Sequence, residues 1–196
     1  MIILASASPR RKKLLEQIGC KFKVMVSDAA EEMRQDLLPE ELVIRNARLK
    51  ATDVAVKAAE SVLAADTVVS LYGHIYGKPT NADDARRMLK ILSGNIHEVS
   101  TGIALVWGND IWSDVVTTKV KFGILSDTVI DDYIALKEPF DKAGAYAIQG
   151  RAAAFIERIE GCYSNVVGLP LHCLVVLAKE AGVNLYDDNG ERFTRR

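Results

Sequence analysis

A mixed sheet flanked by helices, in an α/β fold, is predicted from three features of the sequence. Short apolar runs alternate with helix-period segments as far as residue 92, which is the rhythm of β-α units and parallel pairing. Two β-rich runs, 96–107 and 111–124, then meet at the turn Gly108-Asn109-Asp110, so hairpins and antiparallel pairing join the same sheet. The chain has 196 residues and 49% apolar composition. That length can bury about 70% of the unfolded surface without disulfide or metal staples. One domain is expected over 1–185, with a polar, frayed tail over 186–196.

Each element has its own signal. Residues 2–5 read as a buried strand. Residues 9–19 read as a helix: Ser8 offers the N-cap oxygen, Pro9 suits the first helical position, and Gly19 closes it. KFKVMV (21–26) alternates as a strand, and SDAAEEMRQDL (27–37) is polar and loop-like. Pro39 opens a long helix over 39–60, with Leu42, Ile44, Ala47, Ala51, Val54 and Ala58 among its apolar positions. SVLAADTVVSL (61–71) is a strand, and LYGHIYG (71–77) continues it as a hairpin. Asn81 caps a helix over 81–92 that Ser93-Gly94 ends. After the two β-rich runs come a helix at 127–137, an ordered loop at 138–150, a strand at 152–159 with a turn at Glu160-Gly161, and a helix from Pro170 to Ala181.

Charge narrows the function classes. Lys and Arg number 25 against 26 Asp and Glu, a net charge of −1, so bulk charge argues for neither a nucleic-acid nor a membrane partner. Cys20, Cys162 and Cys173 form no C-x-x-C pair, so neither a disulfide framework nor a zinc site is expected, and a reducing cytoplasm fits. The opening MIIL is too short for a signal peptide and its basic cluster follows it; no run approaches the ~20 apolar residues of a membrane span.

The segment ASASPRRKK poses an electrostatic problem. Arg10, Arg11, Lys12 and Lys13 fill the first turn of a helix. The helix dipole is already positive there, and each misplaced cation costs roughly 0.3–1 kcal/mol. A bound polyphosphate removes the mismatch. Ser6, Ser8, the free N–H groups of the helix start and two arginine forks make an anion site. Four solvated surface cations explain the residues equally well. Asp66-Thr67 lies inside AADTVV, where an unpaired carboxylate is costly to bury. It reads as a metal ligand or general base, against the plainer reading of a turn or cap. Glu31 and Glu32, in the polar loop, are ordinary solvated acids unless that loop neighbours Asp66, in which case they could help hold Mg²⁺ or Mn²⁺. Lys50 and Lys78 are surface cations singly and triphosphate partners together. In EPFDKAGAYAIQG, Asp141, Lys142 and Gln149 stand among small residues, and the Gln149 amide can read a base edge with donor and acceptor at once. No Walker A, G-x-G-x-x-G, G-x-S-x-G or H-E-x-x-H motif occurs, and His74, His97 and His172 lack metal spacing.

LASASPRRKKLLEQIG, AADTVV, GKPTNADDARRMLKILSGNIHEVSTG, EPFDKAGAYAIQG and NVVGLPL, in that order over about 1–182, together resemble the Maf family of nucleoside triphosphate pyrophosphatases. The resemblance implies a fold similar to the inosine triphosphate pyrophosphatases, with two lobes around a cleft. It implies hydrolysis between the α and β phosphates, giving a nucleoside monophosphate and pyrophosphate, with a divalent cation (Mg²⁺ or Mn²⁺) as cofactor. The family's catalytic acid falls on Asp66, its S-P-R-R arginine on Arg10 with Arg11 beside it, its phosphate lysines on Lys50 and Lys78, and its early acid on Glu31, with Glu32 one residue away. The motif DKAGAYAIQG resembles the branch acting on dTTP and UTP, in which the positions of Arg10, Thr67 and Gln149 bear on base choice. The branch acting on 7-methyl-GTP has a glutamate in place of Gln149. Thr80-Asn81 and Arg151 with its three alanines depart slightly from the pattern. The family resemblance also implies a homodimer, and a different class of role: a nucleotide-binding regulator of septum formation that binds without turnover. Removal of modified or purine nucleotides by the same site is a further alternative.

Overall fold

The computed structural model describes residues 1–186. Among these residues seven strands form one mixed sheet: β1 (Ile2–Leu4), β2 (Phe22–Val24), β3 (Val62–Leu71), β4 (His74–Tyr76), β5 (Ile96–Trp107), β6 (Asp110–Phe122) and β7 (Ile156–Glu160). The helices are α1 (Pro9–Gln17), α2 (Pro39–Ala55), α3 (Ala82–Leu92), α4 (Asp127–Ala135), α5 (Tyr163–Val167) and α6 (Leu171–Ala181). The strand order is β2-β1-β3-β5-β6-β7, with β4 added beside β3. β1 runs parallel to β2 and β3, and the remaining pairs are antiparallel. The mixed α/β sheet expected from the sequence is the one observed. Among the described residues no helix is long and apolar enough to cross a membrane.

One irregularity of the sheet opens a gap along β3. β1 pairs with β3 only at Val62 and Leu63, and β4 pairs with the same edge of β3 only at Val69, Ser70 and Leu71. Between them, among the described residues, 64–68 have a strand partner on the β5 side alone. The sheet therefore opens at the middle of β3, beside the carboxyl end of β1, where parallel sheets leave a crevice.

Strand parity decides what faces each side of this opening. Ile3, Val62, Ala64, Ala104 and Val106 pack under α2 through Ala47, Ala51 and Val54. Ile2, Leu4, Leu63, Ala65, Ile103 and Leu105 pack on the other face against Leu14 and Leu15 of α1 and Leu174, Leu177 and Ala178 of α6. The far halves of the long strands carry a second core with α3 and α4, including Val69, Val99, Val120, Phe122, Leu89 and Ile130. The two cores lie at opposite ends of β3, and the opening lies between them.

Several boundaries differ from the sequence expectation. The long helix ends at Ala55, not at 60: Lys57 and Ala58 make only tightened three-residue turns, because the Ile3 N–H bonds Ser61 C=O at 2.8 Å and draws the chain into β3. The strand expected at 152–159 is a 3₁₀ turn over Arg151–Phe155 followed by β7, since a run of three alanines has little strand preference. The helix expected at 127–137 stops at Ala135, where Lys137 takes a left-handed φ of 60°. The loop 138–150 contains two short 3₁₀ turns, and α5 was not foreseen. The frayed tail expected from 186 lies, from 187 on, outside the described residues.

Candidate active site

A cavity of about 820 Å³ fills the opening. Parity places Asp66 on the α2 face of β3 and Thr67 on the α1 face, so the cavity reaches round the exposed edge to both. Asp66 is 6% exposed and would be costly to bury alone. It is not alone. The Lys50 ammonium lies 2.7 Å from its Oδ1 and 2.6 Å from Glu31 Oε1, and the Asn46 amide donates to its Oδ2 at 3.0 Å. Both helix residues reach it because Gly102 stands opposite Asp66 on β5. A Cβ at Gly102 would sit 2.6 Å from the Val43 carbonyl, so only glycine lets α2 lie this close to the sheet.

Glu31 arrives on a strap, residues 25–38, that has no regular structure and is pinned at three points. Ser27 Oγ and the Asp28 N–H bond Asp53, at 2.7 and 2.9 Å. The Glu32 N–H and C=O both bond the Asn46 side chain, at 2.9 and 3.0 Å. The Gln35 amide takes both backbone groups of Ile75, at 2.9 and 3.1 Å, as a neighbouring strand would. Burial pushes the Glu31 carboxyl up, but the hydrogen bond and charge of Lys50, with Lys78 and Arg11 behind it, outweigh that and hold it below the usual carboxylate range.

The basic helix start divides in two. Ser8 caps α1, its Oγ accepting the Arg11 N–H at 3.5 Å. Arg11 turns inward: Nε donates to Gly168 C=O at 2.8 Å, Nη1 to Ser6 Oγ at 3.1 Å and Nη2 to Thr67 Oγ1 at 3.1 Å. A guanidinium has five N–H donors, so one remains on each terminal nitrogen, a held fork. Burial lowers its pKa and the Asp66 charge opposes that. Thr67 is held in turn. Thr101 gives its hydrogen to Asn165 C=O at 3.0 Å, so Thr67 must donate to Thr101 across their 2.9 Å contact. Arg10 turns outward to Asp141 at 3.6 Å, and Asp141 accepts from Lys142 at 2.5 Å.

The structure thus brings Ser8, Arg10, Arg11, Glu31, Lys50, Asp66, Thr67 and Lys78 to one cavity. Gln149 is exposed and does not line it. Part of the wall is apolar, with Val69, Met88, Val99 and Tyr146 from the second core. Tyr146 is anchored behind that wall by its hydroxyl, 2.7 Å from His97 Nε2. Sequence reasoning missed Asn46 and Gly102. Asn46 had a readable signal: it sits one turn before Lys50, and both interrupt an otherwise apolar helix face.

Comparison with known proteins agrees with the whole-chain pattern. A family model described as Maf-like protein matches residues 1–181. A protein of Acetivibrio thermocellus named dTTP/UTP pyrophosphatase is 51% identical over 94% of this chain and 96% of its own length. One of Gloeobacter violaceus with the same name is 52% identical over 91% and 95%. Among solved structures, the Staphylococcus aureus Ham1 protein is similar at 15% identity over 62% of this chain and 71% of that one, with a TM-score of 0.43, too slight a likeness to bear on the site. With the family model spanning every element that walls the cavity, the chain belongs to the Maf family.

Proposed function

We propose that this chain hydrolyses dTTP and UTP, and related modified pyrimidine nucleotides, to the monophosphate and pyrophosphate. The observation that carries the reading is the cavity at the break in β3. It is lined by Arg10, Arg11, Lys50 and Lys78 and by the carboxylates of Asp66 and Glu31, and Val69, Met88, Val99 and Tyr146 supply an apolar stretch of its wall. That lining suits a triphosphate joined to a base. The names of the relatives support the pyrimidine assignment.

A divalent ion, Mg²⁺ or Mn²⁺, belongs to this reading. The donor set suits it: Asp66 and Glu31 already bracket one cation, the Lys50 ammonium, with hard oxygen donors. Among the described residues no group of three or more His, Cys, Asp or Glu side chains gathers as a full cage. Two carboxylates cannot fill an octahedral shell, so phosphate oxygens and water would complete it. When bound, the ion would neutralise charge on the phosphate oxygens.

The chain's own residues do the rest. Arg11 offers its two remaining N–H groups to phosphate oxygens without reorganising, because its other three are fixed. Arg10, Lys50 and Lys78 balance further phosphate charge. A carboxylate has about four lone-pair sites, and Lys50 and Asn46 each take one on Asp66. The remaining sites let Asp66 accept the proton of a water while staying in place. The water oxygen bonds the α phosphorus, the bond from that phosphorus to the bridging oxygen breaks, and its electron pair leaves with pyrophosphate. A panel of nucleoside triphosphates with Mn²⁺ or Mg²⁺, read by pyrophosphate release, tests the reading. Fastest release from dTTP and UTP is expected. Nucleotide binding with no release would favour a regulator, and a purine preference would overturn the substrate.

A further inference from the structure

We propose, resting on the reading above, that Asn46 is a positioning residue: it locks the Asp66 carboxylate and the backbone that carries Glu31 into one unit. Asn46 is 1% exposed, inside the apolar stripe of α2. Its amide is almost fully used. Oδ1 accepts the Glu32 N–H, and Nδ2 donates to both Glu32 C=O and Asp66 Oδ2. The two bonds to Glu32 fix which way the amide faces. Turned over, its oxygen would face the Glu32 carbonyl and the Asp66 carboxylate, and its N–H groups would face the Glu32 N–H. An N–H is therefore always aimed at Asp66.

The coupling follows from chain order. Glu32 is the residue after Glu31, so the side chain that orients Asp66 also fixes the strap at the point where Glu31 leaves it. Lys50, one turn further along the same helix, then finds both carboxylates within 2.7 Å. Both amide hydrogens of Asn46 are spent on the protein, so it has none to give to substrate and acts through the two acids. The competing possibility is a buried asparagine that merely satisfies the strap backbone.

The test uses Asn46→Leu, which fills the volume and removes the amide, and Asn46→Asp, which keeps the acceptor for Glu32 N–H but turns a donor toward Asp66 into an acceptor. Both are measured well below their melting temperatures. Loss of an outer partner of a metal-holding carboxylate costs about 10–100-fold in affinity or activity. That loss is expected in kcat for dTTP, with KM held within about threefold, and in Mn²⁺ affinity followed by electron paramagnetic resonance without nucleotide. In an Asp66→Asn background the same Leu substitution should cost less than about threefold, because residues acting through one group are not additive. Hydrogen exchange at the Glu32 amide should speed up in Asn46→Leu. A variant with near-wild-type kcat and Mn²⁺ affinity, or losses that multiply fully with Asp66→Asn, overturns the proposal. Absence of pyrophosphate release from the wild type would refute the activity instead, and the Mn²⁺ titration would still decide the role of Asn46.

Discussion

Replacing Asp66 with asparagine keeps the shape of the side chain and removes its charge. Two donors converge on this carboxylate, Lys50 on Oδ1 and Asn46 on Oδ2, at 2.7 and 3.0 Å. An amide has one oxygen, so one donor must lose its partner. Asn46 cannot turn, being held by Glu32. The new NH₂ group therefore faces the Lys50 ammonium. Lys50 keeps Glu31 at 2.6 Å and is not stranded. The cost is that of a buried hydrogen bond left unmade, about 1–3 kcal/mol, below the ~3–5 kcal/mol of an uncompensated buried charge. At about 2–4 °C per kcal/mol for a chain of this size, the melting temperature should fall by roughly 2–12 °C. Turnover should fall far more, by about 10²–10⁴-fold, the usual contribution of a positioned acid–base group. Thermal melting and pyrophosphate release from dTTP, measured on the same preparation, separate the two. Turnover within tenfold of wild type would refute the role of Asp66, and unfolding at ambient temperature would refute the claim that Glu31 shelters Lys50.

Three further outcomes are expected. Gly102→Ala places a methyl against the α2 backbone; it should cost about 1–3 kcal/mol in urea unfolding and lower kcat, because α2 carries Asn46 and Lys50, and an unchanged kcat would mean that the helix approach does not matter. Burial pushes His97 down to about 3, well below the unfolded value of about 6.5, so the unfolded chain takes up the proton first, stability is full above about pH 6.5, and roughly 2 kcal/mol is lost by pH 5. His97→Gln can still hydrogen-bond Tyr146 and does not titrate, so its melting temperature should fall less between pH 7 and pH 5; parallel losses in the two proteins would contradict the assignment. Gln149 is exposed and stands outside the cavity wall, next to Ile148, which lines it, so Gln149→Glu should leave both melting and the ratio of UTP to GTP turnover unchanged, and a fall in that ratio would show that Gln149 reaches the base.

Local signals in the chain were readable where local physics decides the outcome. Ser8 and Asn81 cap their helices as expected, because a short polar side chain before a helix has one preferred use. The hairpin of β5 and β6 lies where alternation and a turn tripeptide put it. What was not readable depends on pairing between distant segments. The break in β3 arises because β1 and β4 each cover only part of one edge, and nothing within AADTVV records that. The inward turn of Arg11 and the outward turn of Arg10 are set by Gly168 and Asp141, which lie far along the chain. Gly102 looks like an ordinary weak point in a strand until α2 is laid against it. Asn46, missed although Lys50 was read, was within reach, since polar residues one turn apart on an apolar helix face need partners.

The break in β3 is the seat assigned to the substrate's phosphates, and a crystal structure with a non-hydrolysable α,β-imido analogue of dTTP tests that most directly. The triphosphate should lie against the free N–H groups of Arg11 and beside the Asp66–Lys50–Glu31 cluster, with the thymine toward Val69, Met88 and Tyr146. An analogue bound in the opposite direction, or away from the break altogether, would contradict the assignment.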